Sequence, residues 1–142
     1  MEAKRTLPLQ DAVSRIFDGS SILLFPGHES AALAFEIVRQ GRKDLTIITS
    51  SYCFSVDLLV RSSAVKRILS GGHDLWDYPN ESPATIVEVP AALLRSQLSA
   101  ALSGISCAAS QVPPQAFKVF PELYCRTGDI CLAHAIVPDF AI

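Results

Sequence analysis

Three short stretches hold the residues best suited to chemistry: Pro26-Gly27-His28-Glu29-Ser30, Ser50-Ser51-Tyr52-Cys53 and Gly71-Gly72-His73-Asp74. In the first, a glycine would let a ligand approach the backbone closely. It is followed by a helical pattern, and the free N–H groups of a helix start favour an anion. His28 could donate a further hydrogen bond. The plainer reading is a connection in which Ser30 or Glu29 caps the helix. Cys53 has the chemistry of a nucleophile, but needs a base or a helix start to lower its pKa. A small buried residue is the simpler role for it.

His28, His73 and Asp74 stand at no recognised metal spacing. The four cysteines, Cys53, Cys107, Cys125 and Cys131, are separated by 54, 18 and 6 residues, which matches no zinc pattern. No metal site is expected. Cys107 lies inside an apolar run and reads as core. His134 has apolar neighbours and reads as a structural hydrogen bonder. Glu88, between valines, needs a partner if buried and otherwise faces solvent. There is no Walker loop, GxGxxG, GxSxG or HExxH, so no catalytic residue is assigned from the pattern.

The elements that would position these stretches alternate. Pro8 opens a helix over 8–18, with Ala12, Val13, Ile16 and Phe17 as its buried stripe. Residues 21–25 form a strand buried on both faces, broken at Pro26-Gly27. A helix over 30–40 turns Leu33, Ala34, Ile37 and Val38 inward, and Gly41 ends it. Then come a strand at 45–50, a helix at 55–62, a strand at 65–69, a loop, a strand at 85–89 and a helix at 91–103 with Leu94, Leu98 and Leu102 on one face. Residues 105–109 return as a strand. Beyond Ser110 the chain reads as a rigid loop, then extended segments around a turn at 127–129. The alternation predicts one α/β domain spanning 1–142: three layers, an open and mostly parallel sheet, and helices on both faces. The three stretches follow strands one, two and three, so they would share the carboxyl edge where open α/β sheets bind ligands.

The bulk numbers agree. The chain has 142 residues, 49% of them hydrophobic and 18% charged, with a formal net charge of −2. That suits a compact body with a sizeable core. No basic patch suggests nucleic acid. Lys4-Arg5, Arg42-Lys43 and Lys66-Arg67 read as solvated turn or strand-end charge. No run approaches the ~18 apolar residues of a membrane span. The N-terminus lacks the apolar region of a secretory signal, so reduced thiols in a cytoplasm are expected. The final run, Ala135-Ile136-Val137 and Phe140-Ala141-Ile142, is too apolar to stand bare. A second copy, a partner or a further segment should cover it.

In order, "LPLQDAVSRIFDGSSILL", "AALAFEIVRQGRKDLTIITSS" and "VDLLVRSSAVKRILSGG" resemble the A-type subunit of the glutaconate CoA-transferase-like family I CoA-transferases. The carriers are Asp18-Gly19, residues 37–46 and residues 65–68. "VEVPAALLRSQLSAALSGISCAAS" and "TGDICLAHAIVPDFAI" are similar to later parts of that family. The resemblance covers nearly the whole chain, and rests on pattern and order, not on one diagnostic motif. It implies that the turn after the first strand faces substrate or CoA, and with the three loops at the carboxyl edge the expected site is Gly27, His28, Ser30, Ser50, Ser51, Gly71, Gly72 and His73. It implies coenzyme A thioester as substrate, with no permanently bound cofactor. It places the catalytic glutamate on a B-type partner, so none is assigned here. Pro26 replaces a glycine of the family's turn and removes a backbone donor. The family also continues beyond the stretch matched by residues 138–142, so the C-terminal part of its fold is expected to be missing. Relatives hydrolyse or decarboxylate CoA thioesters on the same scaffold. Further alternatives are a shortened, non-catalytic assembly subunit and a sugar-phosphate isomerase-like protein.

Overall fold

The computed structural model describes residues 7–71, 83–109, 121–127 and 130–142. They form two compact units, Met1–Glu88 with Pro138–Ile142, and Val89–Val137, within the span that the sequence reads as one domain.

The first unit holds helices α1 (Leu9–Ser14), α2 (His28–Arg39) and α3 (Phe54–Arg61). Its strands are β1 (Ser21–Leu23), β2 (Leu45–Thr49), β3 (Val65–Ser70), β4 (Thr85–Glu88) and, from the end of the chain, β8 (Phe140–Ala141). The five strands make one sheet in the order β4-β3-β2-β1-β8, and every pairing in it is parallel. The fold is α/β, as the alternation predicts.

Register explains why this sheet is stable. Phe140, Ile22, Ile47, Ile68 and Ile86 pair in one row across all five strands. Ile22, Ile47 and Ile68 are wholly buried. Paired residues share one face, and the next row, Ala141, Leu23, Ile48, Leu69 and Val87, covers the other with apolar side chains, as parallel pairing demands. Helices α2 and α3 pack side by side, with α1 against α2. Val13, Leu33, Ala34, Ile37, Val56 and Leu59 join the strand residues in one core. Gly41 takes φ +69° just after α2, the left-handed step that lets the chain leave a helix. Phe17, expected in the stripe of α1, is 69% exposed, because α1 ends at Ser14 before its last predicted turn.

The second unit holds α4 (Ala91–Leu102) and strands β5 (Cys107–Ala109), β6 (Tyr124–Thr127) and β7 (Ile130–His134). Its sheet has the order β5-β7-β6 and is antiparallel. β5, which the alternation would continue into the parallel sheet, belongs here. The turn expected at 127–129 falls largely outside the described residues; β6 and β7 on either side of it pair antiparallel. In α4 the buried residues are Leu93, Leu94, Gln97 and Ala100, while Leu102 is 91% exposed. A step of four residues overshoots a full turn by about 40°. Leu94, Leu98 and Leu102 therefore drift around the helix, whereas the three-and-four spacing stays on one side.

Candidate functional site

The carboxyl edge of the parallel sheet gathers the first two stretches singled out above and Gly71 of the third. Past β1 the ladder continues: the Leu24 N–H donates to the Ile48 carbonyl at 2.9 Å, and that of Phe25 to Ile142 at 3.1 Å. Pro26 has no N–H to extend it. Gly27 follows in extended backbone and is the N-cap of α2, with no side-chain cap on the helix. His28 and Glu29 are exposed on the first turn. The N–H groups of that turn are the kind of donor that an anionic ligand can take up.

Ser30 is placed differently from an exposed ligand contact. It is buried, and its hydroxyl donates to the Gly27 carbonyl at 2.7 Å. Its Oγ also lies 2.7 Å from Oγ of Ser55, likewise buried, on the first turn of α3. A hydroxyl has one proton. Since the Ser30 proton serves Gly27, Ser55 is the donor within the pair. This bond ties the first turns of α2 and α3 together, so two helix N-termini open side by side on one edge.

The second junction is folded by Thr49. Its buried hydroxyl donates to the Ser51 carbonyl at 2.8 Å and accepts from the Ser51 N–H at 3.4 Å. Ser50 is left exposed and Ser51 half-buried. Cys53 is the N-cap of α3, half-buried, again without a side-chain cap. On the next turn Tyr52 donates to Asp57 at 2.6 Å, and Arg61 pairs with the same carboxylate at 2.8 Å. At the third junction the buried Gly71 donates its N–H to the Thr49 carbonyl at 2.9 Å. Gly72 and His73 lie outside the described residues. The parallel register, Leu23 beside Ile48 and Thr49 beside Ser70, makes these junctions converge. Glu88, the last residue of β4, faces solvent.

Sequence reasoning missed two things. Ser55 and Thr49 organise the edge, and neither stands out without knowing which helices are neighbours. In the second unit, Cys107, Cys125 and His134 are drawn together, with their ligating atoms all within 4.8 Å of one another. Cys107, expected in the core, is only half-buried. Burial first, and then the neighbouring Cys107 thiol, pushes the Cys125 thiol above its ordinary pKa. The hairpin turn could have brought Cys125 near His134 on paper. Nothing in the spacing places Cys107 beside them.

No family model matches the sequence, and no curated protein matches it significantly. Solved structures do match. One is a variant of the decarboxylase AibA/AibB, with TM-score 0.74 and 21% identity over 96% of this chain and 60% of the other. Another is glutaconate coenzyme A-transferase from Acidaminococcus fermentans, with TM-score 0.64 and 18% identity over 95% of this chain and 54% of the other. This chain thus spans less than two thirds of either. The fold is that of CoA-transferase-like α/β proteins.

Proposed function

We propose that the chain is an A-type subunit of a CoA-transferase-like enzyme, acting on an acyl-CoA and a carboxylic acid. The observation that carries this is the Ser30–Ser55 bond, which holds two uncapped helix starts side by side at the carboxyl edge of a CoA-transferase-like sheet. Fixed N–H dipoles of that kind can orient a carboxylate or a thioester carbonyl and stabilise charge that develops on its oxygen. Gly27, His28, Ser50, Ser51 and Gly71, with Gly72 and His73 beyond them, would supply backbone and side-chain contacts. Ser30 would act by positioning. The nucleophilic carboxylate would come from a B-type partner and divide transfer into two steps. No cofactor stays bound in this reading. The compartment in which it works is a cytoplasm.

The test is a titration of the labelled chain with acetyl-CoA, followed residue by residue by NMR, together with assays with and without a B-type subunit. Perturbed amides at 27–30, 50–51 and 71, and transfer only in the pair, are expected. Transfer by the chain alone would overturn the assignment of the nucleophile. Perturbation confined to the amino edge of the sheet would overturn the site. The similarity to the decarboxylase supports a second reading, decarboxylation or hydrolysis of a CoA thioester on the same edge. Release of carbon dioxide without exchange of CoA would select it.

A further inference from the structure

We propose that Cys107, Cys125 and His134 form a zinc(II) site on the outer face of the three-stranded sheet.

Side-chain alternation makes this face. Tyr124 pairs with Ala133, and both are buried, so they define the covered side. Cys107 pairs with His134, and Cys125 with Leu132, two residues away along β7. A period of two puts all four on the opposite, half-exposed side. Three strands therefore deliver one donor each to one place.

The distances fit a metal. Cys107 Sγ is 3.9 Å from Cys125 Sγ and 3.5 Å from His134 Nδ1. Tetrahedral zinc with ordinary bond lengths requires edges of about 3.8 Å between sulfurs and about 3.6 Å between sulfur and nitrogen. Two edges of the coordination polyhedron are thus already close to their final length. A thiol–imidazole hydrogen bond alone would account for Cys107 and His134, but leaves no reason for a second thiol at the same spot. A disulfide is a poor alternative. β5 and β6 are both partners of β7, so their backbones are two strand spacings apart, about 9.5 Å. A disulfide needs Cα atoms within about 7 Å.

The donor set selects the ion. Two thiolates and an imidazole suit a soft or borderline cation and not magnesium or calcium. Three protein ligands leave one of the four positions of tetrahedral zinc to solvent or a small ligand. The support is also built. Gln97, wholly buried on α4, donates its side-chain amide to the His134 carbonyl at 3.0 Å. The Ala135 N–H donates to the Ser106 carbonyl at 2.8 Å, joining the chain just beyond His134 to that just before Cys107. Backbone anchors of this kind fix the strand ends that carry His134 and Cys107 before the ion arrives.

The test uses the reduced chain, stripped with a chelator and titrated with zinc sulfate against a chromophoric competitor. One zinc per chain is expected. Cys125→Ala or His134→Ala should weaken binding by roughly a hundredfold or more, and Cys107→Ala with Cys125→Ala should abolish it. Cys53→Ser, in the other unit, should bind as the parent does. X-ray absorption of the zinc-loaded parent needs no variant to fold. It should read two sulfur neighbours and one imidazole nitrogen. An oxygen-only or nitrogen-only shell, undiminished binding in the double variant, or no zinc uptake by the parent would overturn the proposal.

Discussion

Asp139 and Ser21 stand 118 residues apart and exchange three hydrogen bonds. The Asp139 carboxylate accepts from the Ser21 N–H at 2.7 Å and from its hydroxyl at 2.8 Å. The Ser21 hydroxyl oxygen accepts in turn from the Asp139 N–H at 3.0 Å. This clamp sits where β8 joins β1. Within the apolar run that the sequence leaves in need of a cover, Phe140 is thereby packed on the core, while Val137 and Ile142 stay exposed.

The clamp should open in acid. The Ser21 N–H, and then its hydroxyl, holds the Asp139 carboxyl below the ordinary carboxylate range. A depressed folded pKa contributes stability above the unfolded value, and that contribution is lost as pH falls through the folded value. Amide exchange at Phe25 and Ile142, which are both hydrogen-bonded across this pairing, should accelerate below about pH 4 before the rest of the sheet opens. Asp139→Ala should do the same at neutral pH and cost about 1–2 kcal/mol in a chemical denaturation midpoint.

Glu36 gives a second acid signature. Its carboxylate accepts hydrogen bonds from Arg39 and Gln40, which hold its pKa at about 2. By the same sign, its contribution is complete above the ordinary carboxylate value and fades as the pH drops towards about 2. Glu36→Gln should flatten the acid limb of the stability curve and lower its neutral part, where the carboxylate's contribution is complete. A limb as steep as the parent's would refute that role.

Ser30 and Ser55 should behave as one unit. Removing the Ser30 hydroxyl leaves the buried Ser55 donor without its partner, at a cost of about 1–3 kcal/mol, whereas removing that of Ser55 leaves Ser30 its bond to the Gly27 carbonyl and costs less. The double alanine variant should cost less than the two single changes added together. A double-mutant cycle in urea measures this, and strict additivity would show that the bond does not hold the two helix starts together.

Gly27→Ala separates fold from site. A Cβ there would meet only the Glu29 carboxylate, at 3.1 Å, and that flexible side chain can yield. Stability should change by less than about 1 kcal/mol. Affinity for acetyl-CoA should fall about tenfold or more if a ligand approaches this backbone. Unchanged affinity would remove Gly27 from the site.

The order of elements was legible because apolar runs of strand length and helical stripes alternate cleanly up to residue 103. Gly41 and Pro8 marked boundaries for local reasons that the structure repeats. Which strands neighbour one another was not legible. β5 has the same apolar look as a parallel strand, yet it pairs with β7. Ser30 read as a surface cap because its partner lies on another helix, 25 residues away. Cys107, Cys125 and His134 escaped the zinc patterns because those patterns describe ligands on local loops. Here strand register, not sequence distance, brings the donors together.

The clamp between Asp139 and Ser21 also has a consequence in time. The first unit is interrupted: residues 89–137 belong to the second unit before Pro138 returns the chain to β1. The second unit is continuous in sequence and can gather its helix and hairpin by local contacts. The first must wait for a closure across more than a hundred residues before its outermost strand is in place, and such distant pairings form late. During synthesis, β1 therefore keeps an open edge while an entire neighbouring unit is made. Its three-residue length makes that open edge a poor template for wrong pairing. The brevity of β1 therefore protects the growing chain.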